Sequence, residues 1–295
     1  MILNLLENSN RNDYSNTNCF VFETNAQNFK INYSIKDVIH GNFPHVGITA
    51  REGICVLYFS PIKKTWLNVD VYTRSSSVNV LMSHMVEKGQ NYKIMIYGPI
   101  LSKLNSLYIE ISDDYYAKII NEYGNLNVSI FGGIHSFGIG CTTVGLMFSN
   151  ILGRKLNLKI NNISFNEQNY LLSLNKFLKK SKFNIHYNVG IVELDYYNQS
   201  DDVVEKNLRN VVHCINECCD IVIGWFSIPK PKKYKKDKIY EILSDEIEKG
   251  IIIIEDCSFL YDGENYEMCT FGNNFINDAG NVLIFKRLQK ILGEL

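Results

Sequence analysis

From residue 127 onward, short apolar runs alternate with stretches of helical spacing, and this alternation constrains the fold more than any other feature of the chain. The runs are Val128–Phe131, Leu158–Ile163, Val189–Leu194, Asp220–Phe226 and Gly250–Glu255. Between them, helices are predicted over Val144–Leu156, Gln168–Lys180, Asp201–Cys218 and Ile239–Lys249, and Asn277–Leu292 closes the chain as a last helix. Strands that are apolar throughout must be covered on both faces, which is the signature of a parallel sheet between helical layers. The expected architecture is a flavodoxin-like three-layer α/β/α domain with a five-stranded parallel sheet. Ligands in such folds bind at the carboxyl ends of the strands, so chemistry is sought in the residues that follow each strand. Asp202 is the expected N-cap of the third helix, with Glu205 in the capping-box position.

The first part of the chain reads differently. Cys19–Glu23, Phe29–Tyr33, Ile54–Ser60, Trp66–Tyr72, Val78–Met82, Tyr92–Tyr97 and Leu107–Ile111 are short segments rich in Val, Ile, Tyr and Phe. They are separated by Gly, Pro, Asn and Ser, and Trp66–Tyr72 alternates apolar with polar residues. Closely spaced strands of this kind predict a β-sandwich, jelly-roll-like in style. The change of period divides the chain into an N-terminal β domain, residues 1–122, and a C-terminal α/β domain, residues 123–295.

The net charge of −1 gives no global attraction to nucleic acid or to an anionic membrane. The N-terminus has neither the basic start nor the apolar core of a signal peptide, and no apolar run reaches the ~20 residues that span a bilayer. A cytoplasmic location is therefore the expectation, and in a reducing compartment the eight cysteines are expected to be free thiols.

The first strand of the second domain runs into Gly132-Gly133-Ile134-His135-Ser136-Phe137-Gly138-Ile139-Gly140-Cys141. A Gly-rich turn leading into a helix offers free N–H groups to an anion. The G-x-G-x-x-G spacing and the Lys-Ser/Thr pair of nucleotide-binding loops are both absent, so no nucleotide cofactor is expected, and no other cofactor is indicated.

These segments resemble the SGNH (GDSL-type) ester hydrolases, in the branch that carries a β-sandwich ahead of the hydrolase domain. Gly132 and Gly138 keep the outer glycines of the family's G-x-S-I-T-x-G block. Leu152-Gly153-Arg154-Lys155-Leu156 is similar to its L-x-R-K-L ending, and Asn162-Ile163-Ser164-Phe165 to its N-L-G-F stretch. Leu194-Asp195-Tyr196-Tyr197-Asn198 resembles an L-D segment ending in Asn, and Asn277-Asp278-Ala279-Gly280 part of H-P-N-D-x-G. Ser83-His84-Met85 and Tyr97-Gly98-Pro99 look like the sandwich of the same branch.

The resemblance also exposes departures. At the position of the nucleophilic Ser stands Ile134, at that of the general-base His stands Phe275, and at that of the orienting Asp stands Gly272. Ser164 replaces the oxyanion-hole Gly, though its N–H can still donate, and Asn198 is one residue out of register for the Asn of the third block. An acyl-transfer triad needs a hydroxyl, a base and a carboxylate that orients the base; Ile, Phe and Gly supply none of them. The resemblance therefore implies a triad-deficient, non-hydrolytic binding or accessory protein. Its cleft is expected to be lined by Gly133, Ile134, His135, Ser136, Ser164, Asn166, Asn198, Asn274 and Phe275, and to take a small molecule, a glycan or a peptide. The alternative is an enzyme with a rebuilt site for ester, acyl-transfer or other chemistry that uses His135, Ser136, Asp195 or Cys141.

Three further features have a functional and a plain reading. Val212-His213-Cys214-Ile215-Asn216-Glu217-Cys218-Cys219 holds soft metal ligands, with Cys214 and Cys218 one helical turn apart, but no second ligand pair at zinc spacing accompanies them, so packing is the expectation and no metal is assigned. Lys230–Lys238 contains six lysines in nine residues and reads as a solvated loop or as a docking patch for an acidic partner. The aromatic-rich sandwich, Trp66 included, is also a possible carbohydrate platform.

Overall fold

The computed structural model describes residues 1–7, 18–37, 45–73, 76–121, 124–181, 185–196, 199–229, 232–271 and 275–294. The chain divides into two compact units, residues 1–122 with 142–145, and residues 123–141 with 146–295.

The first unit holds two antiparallel sheets. One has the order β1 (Ile2–Asn4), β8 (Lys103–Glu110), β3 (Asn28–Lys36), β6 (Ser77–Leu81). The other has the order β5 (Thr65–Thr73), β4 (Gly53–Ser60), β7 (Tyr92–Tyr97), β2 (Cys19–Thr24), β9 (Ala117–Ile120), and the short α1 (Ile48–Glu52) precedes β4. Phe29, Ile31, Leu107 and Ile109 from the first sheet share one core with Phe22, Ile54, Val56, Ile94 and Ile96 from the second. Two sheets joined through one apolar layer make the sandwich that the strand pattern predicts. The edge strands β1 and β9 escape a reading by periodicity because each is only three or four residues long.

The second unit is built on a parallel sheet of order β11 (Lys159–Ser164), β10 (Asn127–Gly132), β12 (Tyr187–Glu193), β13 (Cys219–Phe226), β14 (Ile252–Asp256). On one face lie α4 (Tyr170–Lys180), α5 (Asp201–Asn216) and α6 (Lys233–Ile242), which contribute Leu171, Leu174, Val204, Leu208, Val211 and Ile239. On the other lie α3 (Phe148–Leu156) and α9 (Asp278–Glu294), contributing Ile151, Leu152, Ile284 and Leu288 around Trp225. The remaining elements are α2 (Ile134–Phe137), α7 (Ser244–Glu248), α8 (Glu264–Cys269) and the hairpin of β15 (Thr270–Phe271) and β16 (Phe275–Ile276). The chain passes from β10 outward to β11 and then back across β10 to β12. That reversal opens a crevice between the carboxyl ends of β10 and β12, the place where open α/β sheets hold their ligands.

Three local expectations are corrected. The third helix is N-capped by Ser200, with Asp201 and Asp202 in its first turn and no side-chain capping bond; two carboxylates near the positive helix end supply the stabilisation instead. The expected helix at Val144–Leu156 is a single 3₁₀ turn at Val144–Leu146 followed by α3. From Lys233 on, the lysine-rich segment is helical and not a loop: α6 begins there, and the helix expected over Ile239–Lys249 is divided into α6 and α7. Lys235, Ile239 and Ile242 are its buried positions, at helical spacing, so a lysine occupies a place in the apolar stripe. A lysine can do this because its four methylenes pack like an aliphatic chain.

Candidate functional site

The residues after β10 turn at once into the four-residue α2. Gly133 makes that turn possible: a Cβ there would stand 2.6 Å from the ring of Tyr170. The N–H groups of Gly133 and Ser136 both point at the carboxylate of Glu193, the last residue of β12, at 3.0 and 2.8 Å from Oε2. Its other oxygen lies 3.6 Å from Nδ1 of His135, and both side chains are buried (2% and 0% exposed). The Gly-rich turn is thus an anion site whose anion belongs to the chain. Glu193 reaches from the end of β12 to the turn after β10 and accepts both N–H groups there.

Around Glu193 the polar groups interlock. Tyr170 donates to the Glu193 carbonyl at 2.5 Å, Asn162 Nδ2 donates to the Ser136 carbonyl at 2.8 Å, and Ser164 Oγ donates to Asn162 Oδ1. Burial, then the charges of Glu193 and Asp195, push the Tyr170 phenol well above its ordinary value, so it stays a donor. The His135 ring stands 6.4 Å from that of Trp225, itself edge-on to Phe148 at 5.2 Å.

The four residues proposed for a rebuilt site fall into three places. His135 and Ser136 face the interior at Glu193; Ser136 is fully buried, and its hydroxyl has no hydrogen-bond partner among the described residues. Cys141 is also fully buried, and burial together with the charge of Asp278 raises its thiol far above the range in which it is nucleophilic. Asp195 follows β12 by two residues, 7% exposed, within the electrostatic reach of Tyr170, Tyr196, Tyr261 and Lys235. The Lys235 ammonium lies 4.6 Å above the ring of Tyr196, and burial lowers its pKa while Asp195 opposes that shift.

Among the cleft residues, Ile134, Asn166 and Phe275 are partly exposed, whereas Gly133 and Ser164 are buried. The hairpin that carries Phe275 lies beside the loop after α2, because Gly140, at φ +108°, leaves room for the Ile276 carbonyl. Asn198, Asn274 and Gly272 lie outside the described residues, as do Lys230 and Pro231. The rest of the lysine run is dispersed: Lys235 is buried, Lys236 pairs with Asp256, and Lys238 pairs with Glu241 at 3.1 Å. No group of three or more His, Cys, Asp or Glu among the described residues is arranged to hold a metal ion. No helix among them is long and apolar enough to cross a membrane.

Glu193, Tyr170, Trp225 and Lys235 were not singled out from the sequence. The readable signal for Glu193 was a carboxylate closing an otherwise apolar strand.

The fold of the chain is similar to that of a GDSL-like lipase and of family 2 carbohydrate esterases of known structure. A GDSL-like lipase from Bacteroides ovatus superposes with a TM-score of 0.74 at 14% identity, over 94% of this chain and 83% of that one. A family 2 carbohydrate esterase with a carbohydrate-binding domain, from Corynascus thermopiles, gives 0.63 at 8% identity over 100% and 99% of the two chains. A family two carbohydrate esterase from Clostridium thermocellum, solved in complex with cellohexaose, gives 0.59 at 9% identity over 100% of both. No protein-family model matches the sequence, and no curated protein matches it.

Proposed function

We propose that this chain uses an ester-hydrolase scaffold to bind a ligand at the carboxyl edge of its parallel sheet without hydrolysing it. One observation carries the reading. At the position matched to the nucleophile, the partly exposed side chain is that of Ile134, while the neighbouring His135 and Ser136 are buried against Glu193 and Gly132. An aliphatic group cannot attack an acyl carbon, and a hydroxyl sealed in the core cannot meet one. Phe275, on the hairpin beside the α2 loop, adds an aromatic surface where the resemblance has its imidazole. A partly exposed aromatic ring suits the apolar face of a sugar. Glycans are accordingly the ligand class proposed, a choice favoured by the cellohexaose held by the Clostridium thermocellum esterase.

The test has two arms. Purified protein is assayed against nitrophenyl acetate and acetylated xylo-oligosaccharides, with turnover at the buffer rate expected. Binding of cello- and xylo-oligosaccharides is then measured by calorimetry on the native chain and on Phe275→Ala, with weaker binding expected in the variant. Turnover abolished by Ser136→Ala would overturn the proposal. Turnover that survives Ser136→Ala but not Asp195→Asn would instead support the second reading, an enzyme rebuilt around Asp195, which the adjoining Lys235 and three tyrosines favour.

A further inference from the structure

At the carboxyl edge of the parallel sheet, buried polar side chains gather about the turn that follows β12. Lys235, in the first turn of α6, is 5% exposed, and its ammonium stands 4.6 Å above the Tyr196 ring. Among the described residues that ammonium has no hydrogen-bond or ion-pair partner. The Tyr196 hydroxyl is buried and has no partner among them either. Gln199 closes the turn by donating its N–H to the Tyr196 carbonyl at 3.1 Å, and its side-chain Oε1 is a further buried atom with no described partner. Buried polar groups that the chain itself leaves unpaired point to a partner from outside it. The ammonium requires one most, because a ring face returns only part of the lost hydration.

The start of α6 calls for the same chemistry. It has no side-chain cap and no acidic residue in its first turn, whereas α5 opens on Asp201 and Asp202. Lys232, Lys233, Lys235 and Lys236 crowd this positive helix end instead, a placement that the helix dipole opposes. Of the four, only Lys236 has an ion-pair partner among the described residues, Asp256. Burial lowers the Lys235 pKa; Asp195 and Asp201 oppose that shift and Lys232 adds to it, so the two carboxylates do not fully compensate the cation.

We propose that the ligand of this edge is an acidic glycan, and that the Lys235 ammonium and the Tyr196 hydroxyl hold the carboxylate of a uronic acid residue. The inference rests on the glycan reading above and narrows it. A carboxylate supplies the acceptor that both donors lack, and it carries a single charge. A phosphate dianion suits the place less, because Asp195 and Asp201 repel it twice as strongly. The hydroxyls of the same sugar are donors for Asp195 and for Gln199 Oε1. Hydrogen bonds to an ionised group are the stronger class, so the carboxylate is expected to raise affinity about tenfold over the same sugar without it.

Calorimetry on the full chain compares xylo-oligosaccharides of one length with and without a glucuronic acid branch, at neutral pH and low salt. The branched oligomer is expected to bind about tenfold more tightly. In Lys235→Met, which keeps the aliphatic stem over Tyr196, the ratio of the two affinities is expected to fall to about one. In Tyr196→Phe, which keeps the ring, it should fall several-fold. Thermal unfolding of both variants at the native midpoint shows that the fold is retained. Lys233→Ala, at an exposed lysine of the same turn, should keep the preference. Equal affinities in the native chain would overturn the inference and leave the glycan reading standing, whereas no binding of either oligomer would remove both. A preference that survives Lys235→Met would also overturn it. So would an equal loss in Lys233→Ala, because a diffuse basic surface and not the buried ammonium would then be the cause.

Discussion

Replacing Glu193 with alanine removes the acceptor on which the first turn of α2 depends. Two buried N–H groups, of Gly133 and Ser136, lose their partner, and His135 loses its neighbouring carboxylate. Each buried donor left unsatisfied costs about 1–3 kcal/mol, so the two together cost about 2–6 kcal/mol. Relief from burying a carboxylate offsets part of this, so the expected loss for Glu193→Ala is about 3–5 kcal/mol. Glu193→Gln is the informative control. Both N–H bonds end on the same oxygen, Oε2, which the amide carbonyl of Gln can replace. Only the charge assistance is lost, and the expected cost is about 1–2 kcal/mol. The assay is urea unfolding followed by tryptophan fluorescence in a Trp66→Phe background. The chain has two tryptophans, so Trp225, buried beside this site, then reports the second unit alone. A Glu193→Ala variant within about 1 kcal/mol of its parent would refute the reasoning, because each orphaned donor alone should cost that much. Equal losses for Gln and Ala would refute it differently, by placing the stabilisation in the charge and not in the accepted bonds.

Ser136→Ala is expected to leave stability unchanged or slightly improved, since the hydroxyl is buried without a partner among the described residues; a loss above about 1 kcal/mol in the same unfolding assay would contradict this. Gly133→Ala drives a methyl group into the Tyr170 ring, a backbone-anchored clash that should cost about 1–3 kcal/mol and lower the thermal midpoint in calorimetry. Burial alone would raise the Asp256 carboxyl, but its bonds to Lys236 and Ser258 outweigh that and hold it below the usual carboxylate range. Its contribution to stability is therefore present above the unfolded value of about 3.9 and is lost as the pH falls through the lower folded value. Asp256→Asn should flatten the acid limb of the stability profile below about pH 4 without altering its slope at neutral pH.

The alternation of apolar strands with amphipathic helices was enough to predict a parallel sheet between helical layers. The strand-only stretch before it was enough to predict the antiparallel pair of sheets. Both patterns are periodic, and burial of one face or two is written into that period. The likeness of Gly132–Gly138 and Asn277–Gly280 to an ester-hydrolase scaffold was legible in the same way, because it lies in local order and spacing. The helix through the lysine run was not legible, since Lys235 counts as polar until Tyr196 is known to lie beneath its ammonium. Nor was the occupant of the Gly-rich turn. Gly133 and Ser136 are separated from Glu193 by 60 and 57 residues, and nothing in either segment names the other. The sequence by itself determined the layers and their period, because each is a property of neighbours along the chain. Only the tertiary structure decided that the chain's own carboxylate accepts the N–H groups of Gly133 and Ser136, because which donor meets which acceptor is settled when distant strands are brought side by side.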